Sequence, residues 1–316
     1  MHVRSKNLPL LKPLAAGLLL LGVGVASAAT GKLLLTGGVS SVDGAAGGGI
    51  TPWAMIGSNA TEGEVGVSAY LSRARTRDYG LTGGGLAVGL QDRYELSLAR
   101  QDFDASAAIA LNAIAPFGIR PAQHIRMDVL GAKVRVAGDA VLDSDRWMPQ
   151  IALGVLHKRV HPGSLGSVLR FLGADTQATE LVASASKLFL AQSLLVNGTL
   201  RWSNANQNGL LGFGSGAPGR DRRSLHSEWS VAWLLANNLA VGAEIRFKPD
   251  NLHALGAAAG LGDALREQRW RDLFIAWAPG KNLSFTLAWV DLGQILPGVT
   301  GNRRQTGYYL SGQAAF

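Results

Sequence analysis

The sequence predicts an all-β chain closed into a transmembrane antiparallel barrel, and three observations carry that prediction. Stretches of alternating apolar and polar residues recur along most of the chain. Short turns and long polar or Gly-rich connections separate them by turns. Beyond residue 28 no apolar run reaches the roughly 20 residues that a transmembrane helix requires. A membrane protein without such helices has to close its sheet, because an open edge in lipid leaves backbone donors and acceptors unpartnered.

Residues 1–28 read as a signal peptide. Arg4, Lys6 and Lys12 give a positive start, Leu14 to Val25 is apolar, and Ala26-Ser27-Ala28 matches a small-residue cleavage site. Residues 29–316 are then expected to form one outer-membrane β-barrel domain. The first 28 residues hold three basic and no acidic residues, so the formal charge of +8 falls to +5 for the remainder. Without a dense Lys/Arg block interleaved with aromatics, nucleic acid is not an expected partner. The chain has no Cys, which excludes disulfides, thiolate nucleophiles and Cys-ligated metals. Glycine is abundant at 41 of 316 residues, yet 47% of the chain is hydrophobic, which excludes a disordered, weakly hydrophobic polymer.

The hairpin over Ser227 to Lys248 shows the pattern most clearly. Trp229, Val231, Trp233 and Leu235 form one row, Ala236-Asn237-Asn238 turns the chain, and Val241, Ala243, Ile245 and Phe247 continue the apolar face. Equivalent rows are Tyr94, Leu96 and Leu98; Leu130, Ala132, Val134 and Val136; Ile151, Leu153 and Val155; Leu194, Val196, Leu200 and Trp202; and Leu273, Ile275 and Trp277 with Leu283, Phe285, Leu287 and Trp289. Short turns at 91–93, 191–193, 236–238 and 279–282 fall on one rim. Long connections at 103–124, 161–177, 204–224, 249–269 and 291–305 fall on the other, as in outer-membrane barrels with periplasmic short turns.

From Val65 to Phe316 the pattern yields twelve strands. Leu33 to Ser40 and Ile50 to Ser58 add a hairpin around the Gly-rich Asp43 to Gly49, so the count favours 14 strands. The alternative keeps twelve and folds the Gly-rich N-terminal segment, residues 33–49, inside the lumen. A soluble sandwich shows the same alternation, so the side facing lipid is read from context. Trp53, Tyr94, Trp202, Trp229, Trp277, Trp289 and Tyr308 resemble interfacial aromatic girdles. The last strand carries Tyr308, Leu310, Gly312, Ala314 and Phe316 on one face and is expected to serve as the signal for the barrel assembly machinery.

Opposite the apolar rows lie Glu95, Lys133, Arg135, Lys158, Arg201, Glu228, Glu244, Arg246, Lys248 and Asp272, the expected lumen lining. Rings of charged side chains tune the selectivity of pores. The same residues also fit a self-neutralising ladder that props the wall. With six basic and four acidic members, the set implies at most a slight anion preference.

Catalytic readings find little purchase. No Gly-x-Ser-x-Gly elbow occurs, and His124, His157, His161, His226 and His253 form no recognisable arrangement with a nucleophile. His157 and His161 on a strand have no metal-binding geometry, Asp143-Ser144-Asp145 lacks the further ligands of a calcium loop, and Gly212 to Gly219 is followed by no helix or lysine in phosphate-binding register. No catalytic residue, metal or cofactor is expected.

Five stretches carry a family resemblance: "LLLTGGVSSVDGAAGGGITPWAMIG" (33–57), "AGDAVLDSDRWMPQIALGVLHKR" (137–159), "NQNGLLGFG" (206–214), "LAVGAEIRFKPDNL" (239–252) and "AWVDLG" (288–293). They resemble a proteobacterial outer-membrane family catalogued as a domain of unknown function, number 3034, over essentially the whole chain after residue 28. The resemblance implies an outer-membrane barrel but no substrate, cofactor or catalytic residue. The leading expectation is a passive pore or facilitator for small solutes, embedded in outer-membrane lipid. The alternatives are a closed structural or surface-interaction barrel and, third, an outer-leaflet lipid-modifying enzyme.

Overall fold

The structure, a computed structural model, describes residues 32, 35, 39–141 and 147–316. The expected signal peptide over 1–28 and the Asp143-Ser144-Asp145 turn lie outside the described residues. Two short strands come first, β1 (Val39–Ser40) and β2 (Ala46–Gly47), paired with each other and with no strand of the wall among the described residues. The wall then runs β3 (Val65–Thr76), β4 (Gly80–Leu90), β5 (Tyr94–Asp104), β6 (His124–Ala137), β7 (Gln150–His161), β8 (Gln177–Phe189), β9 (Leu194–Ser203), β10 (Ser224–Ala236), β11 (Leu239–Arg246), β12 (Trp270–Gly280), β13 (Leu283–Gln294) and β14 (Arg304–Ala315). Each strand is antiparallel to the next, and β14 pairs with β3 from Gly307 opposite Thr76 to Ala315 opposite Ser68. The barrel among the described residues is therefore closed with twelve strands.

Most of these strands are long enough to cross the hydrocarbon layer, for which about 9–11 tilted residues suffice. Their outward rows are exposed and apolar: Leu96 and Leu98 on β5, Leu130 on β6, Trp229, Val231 and Trp233 on β10, Leu273 and Ile275 on β12, Leu287 and Trp289 on β13. Such a belt is stable only against lipid. A one-residue slip of any strand would turn that row into the lumen and the charged row into lipid, so the register is strongly specified. On β14, Tyr308, Leu310 and Phe316 are exposed, with Gly312 and Ala314 half-buried between them, so the terminal row lies on the lipid side as expected.

The preference for 14 strands does not hold. Residues 39–58 enter the barrel from the short-turn rim and fill the lumen as a plug, with Ala54 and Ile56 almost wholly buried. The reason is composition: Ser41 to Gly49 offers a lipid-facing row only Val42, the charged Asp43 and small residues, but small residues allow close approach to the wall. A Cβ on Gly48 would lie 2.0 Å from Glu244 Oε1, and one on Gly44, at φ +88°, would lie only 2.7 Å from Ala99 Cβ. Trp53 consequently leaves the aromatic girdle. It is 4% exposed, inside the barrel, with its indole N–H donating to Ser230 Oγ at 3.0 Å.

The rims follow the expected alternation with two exceptions, and the first is the twelve-residue β6–β7 connection, 138–149, on the short-turn rim. The second is the β3–β4 connection, 77–79, only three residues long although it sits on the long-loop rim. The other loops there carry short helices at Ser106–Ala113, Gly166–Phe171 and Asn251–Ala258. They roof the barrel with an apolar layer that includes Phe103, Ile125, Leu169, Phe213 and Leu252.

Two outcomes follow from this arrangement. Gly48→Val should leave the wall folded but force the plug off Glu244. The measurement is a wall that keeps its heat-modifiable mobility on gels while residues 39–58 become open to protease. Deleting Phe316, which exchanges backbone hydrogen bonds with Val67 at 2.8 and 2.9 Å, should lower the folded fraction on assembly into outer membranes.

Candidate functional site

The lumen is filled from both ends. The plug rises from the short-turn rim, and residues 204–215 of the β9–β10 loop dip in from the long-loop rim with Asn206, Gln207 and Asn208 buried. Gln207 and Asn208 have left-handed φ of 44° and 63°, a conformation Asn tolerates better than most residues. The two inserts meet where Asn208 Nδ2 donates to Asp43 Oδ1 at 2.8 Å.

Asp43 is the centre of the site. Its carboxylate sits 3.0 Å from Lys158 Nζ on β7, 3.3 Å from Arg201 on β9 and 3.4 Å from Arg246 on β11. Glu180 on β8 pairs with Lys158 at 2.9 Å and Arg201 at 2.8 Å, and Glu228 on β10 pairs with Arg201 at 2.5 Å and Arg246 at 3.3 Å. Five neighbouring strands thus each send one inward side chain to one point, which the period-two alternation makes possible. Asn208 adds its side-chain carbonyl to Lys158 at 2.6 Å and to Arg246 at 2.5 Å. Burial by itself would raise the Asp43 carboxyl, but Lys158, Arg246, Arg201 and the Asn208 amide together hold it far below the usual carboxylate range.

The remaining expected lumen residues divide into three groups. Nearer the short-turn rim, Glu95 accepts backbone N–H bonds from Ala46 at 3.2 Å and Gly57 at 2.6 Å, while Lys133 pairs with Glu95 at 3.2 Å and donates to the carbonyls of Ala46, Trp53 and Met55. Glu244 accepts from Ile50 N–H at 2.8 Å and Thr51 Oγ1 at 2.5 Å, and it opposes Asp272 across the β11–β12 ladder. At the long-loop rim Lys248 donates to Gln207 Oε1 at 2.7 Å and pairs with Glu267 at 3.5 Å. Arg135 stands apart: it binds Asp92 at 3.1 Å and Asp139 at 3.0 Å at the short-turn rim and takes no part in the central cluster.

Nine of the ten residues therefore point into the packed interior, and the tenth guards its edge. Sequence reasoning missed Asp43, Glu180 and Asn208. A lone Asp within a glycine run was the only signal for the first.

Gaps between plug and wall are small. One of about 20 Å³ lies beside Ala45 and Pro52, and an apolar one of about 30 Å³ lies beside Val39, Trp53, Leu195 and Phe274. A wider cleft of about 690 Å³ opens at the short-turn rim, between Glu62, Arg93, Arg135 and Asp139.

The histidines are dispersed. His124 bonds Asp102, His161 bonds Asp128 at 3.1 Å and His157 bonds Thr179 at 3.0 Å, all on the outer surface of the wall. His226 bonds Ser224 at 2.7 Å at the start of β10, and His253 pairs with Asp263 at 2.9 Å in the β11–β12 loop.

A closed wall, an apolar exterior and a filled lumen define the class: a transmembrane β-barrel plugged by its own N-terminal segment. The chain belongs to the family described as protein of unknown function (DUF3034), whose model matches residues 36–313. Among solved structures, the KdgM porin in complex with disordered oligogalacturonate is 9% identical, covering 79% of this chain and 99% of that one at a TM-score of 0.47. The NanC porin is 7% identical, over 78% and 98% of the two chains, with the same TM-score of 0.47. The COG4313 outer membrane channel from Pseudomonas putida F1 is 12% identical, over 82% and 97%, at a TM-score of 0.43. Comparison with curated proteins found no match.

Because docking lowers the Asp43 pKa, its ionised form stabilises the docked plug above the free carboxylate value of 3.8, and that contribution drains away as pH falls below it. Protease access to residues 39–58 should therefore rise on acidification below that value. An Asp43→Asn protein should show no such step at this site, which separates Asp43 from the other carboxylates.

Proposed function

We propose that the protein is an outer-membrane channel for small solutes, closed at rest by residues 39–58 and conducting when that segment shifts. One observation carries this reading: much of the wall behind the plug is charged or hydroxylic. Glu95, Lys133, Ser186, Thr199, Arg201, Glu228, Ser230, Glu244 and Arg246 all face it and are buried by it. An interior meant to stay shut would be as stable or more so with apolar residues, since replacing buried ion pairs by well-packed hydrophobes is often neutral or stabilising by about 1–4 kcal/mol. A wall of charges and hydroxyls gives up that packing but stays solvated when water replaces the plug. The outward belt supports residence in outer-membrane lipid, and the exposed Tyr308, Leu310 and Phe316 row supports delivery by the barrel assembly machinery.

A second reading, a permanently closed structural barrel, draws on the insertion of residues 204–215 from the opposite rim. An outer-leaflet enzyme finds no support in the separated histidines, and we propose no catalytic role.

Planar-bilayer recording decides between the first two. The wild-type protein should be mostly silent with brief openings. Asp43→Ala, which removes one partner of a buried ionic cluster and should weaken plug docking by about 3–5 kcal/mol, should lengthen or multiply them. Silence from both proteins would favour the closed barrel.

A further inference from the structure

The central cluster has a charge balance that the plug alone completes. The wall contributes three cations, Lys158, Arg201 and Arg246, and two carboxylates, Glu180 and Glu228. Those five groups sum to one net positive charge, and Asp43 on the plug brings it to zero. All six side chains are at most 3% exposed, so bulk water screens this balance little.

The geometry around Asp43 is that of a binding site. Its two oxygens are shared among three cations at 3.0 to 3.4 Å from three different strands, with the Asn208 amide N–H completing the shell at 2.8 Å. Guanidinium forks suit carboxylate and phosphate oxygens specifically. The wall groups are held in place without Asp43: Glu180 spaces Lys158 from Arg201, and Glu228 spaces Arg201 from Arg246. Trp270 closes one side, its ring 5.7 Å from the Arg246 guanidinium carbon. Of the further buried carboxyls, Glu244 lies on the short-turn side, where it accepts from Thr51 and Ser230 and opposes Asp272 across the β11–β12 ladder, and Glu267 lies on the long-loop side, where it accepts from the Gln207 N–H and pairs with Lys248. When the plug withdraws, the wall is left with preplaced donors and a deficit of one negative charge.

We propose that Lys158, Arg201 and Arg246 form an anion-binding site that Asp43 occupies in the closed state, and that the solute is a small carboxylate- or phosphate-bearing anion that competes with Asp43 for it. This rests on the channel reading for the solute's passage, but the site itself does not. Asp43 acts as a tethered ligand: the solute displaces it, restores neutrality in the wall, and frees the segment that blocks its own path. Closure and selectivity are then two uses of one cluster.

The test is anion rescue in detergent micelles. Asp43→Ala is titrated with sodium acetate, sodium phosphate and, at matched ionic strength, sodium chloride, following Trp270-sensitive fluorescence and the thermal midpoint. Acetate or phosphate should raise the midpoint saturably and chloride should not; which of the two acts at the lower concentration assigns carboxylate or phosphate. In the wild type, where Asp43 holds the site, half-saturation should require at least about tenfold more of the same anion, because a site open for only a fraction of the time binds more weakly by that fraction. There the anion should expose residues 39–58 to protease. Equal effects of acetate, phosphate and chloride on Asp43→Ala would overturn the site. Should that variant fail to fold, equal protease exposure of the wild-type plug in the three salts would overturn it instead. In bilayers, saturable binding without current would overturn the channel reading and leave the site standing. Current without any saturable anion effect would do the reverse.

Discussion

Burying a cation costs several kcal/mol unless a counter-charge and hydrogen bonds accompany it, and removing one partner of a buried pair leaves that cost exposed. This barrel buries three cations at one level of its lumen and balances them with two carboxylates of the wall and a third, Asp43, carried by a separate segment. The rest of the interior is arranged around that constraint. Gly44 and Gly48, which follow Asp43, let the segment approach β5 and β11 closely, and Glu95 and Glu244 grip its backbone on two sides. The loop from the opposite rim ends its descent at the same point, because Asn208 bonds Asp43, Lys158 and Arg246 at once.

The same constraint explains why the lumen is not simply an aqueous bore. A twelve-stranded wall encloses more space than its own side chains fill, since barrels of about 8 strands are just wide enough to be filled that way. Residues 39–58 and 204–215 take up much of the excess. Where the plug meets wall it does so through directional bonds near Asp43, Lys133 and Glu244, with apolar contacts of Trp53, Leu195 and Phe274 toward the short-turn rim. Hydrogen bonds and ion pairs can be exchanged for water one by one, whereas apolar packing cannot. The plug is thus anchored by groups that have an alternative partner.

The wall was legible in the sequence because lipid imposes a strict rule on it: every second residue of a strand faces hydrocarbon, so the alternation of Trp229, Val231 and Trp233 or of Leu273, Ile275 and Trp277 survives without knowledge of the fold. The inward charges could be read off the complementary row, including the six wall cations and acids that hold the plug. The plug itself was ambiguous for a physical reason. A segment inside a lumen buries apolar side chains as a lipid-facing strand does, so Ile50, Trp53 and Ile56 fit either reading, and Trp53 looked like a girdle residue. Asp43 looked like a turn residue among glycines. The stretch 206–214 reads as a polar, Gly-rich surface loop, since nothing local distinguishes a loop that folds over a rim from one that folds into it.

The seam and the plug also set an order of events. Every wall pairing joins strands adjacent in sequence except the β14–β3 seam. The plug instead makes contacts at very long separation, Ile50 to Glu244 across 194 residues and Ser40 to Gln313 across 273. Contacts of that kind carry the loop-closure entropy of the whole intervening chain and form late. They also need β11 and β14 already in place to supply Glu244 and Gln313. A freshly inserted molecule therefore passes through an interval in which its wall is complete and its lumen still wet.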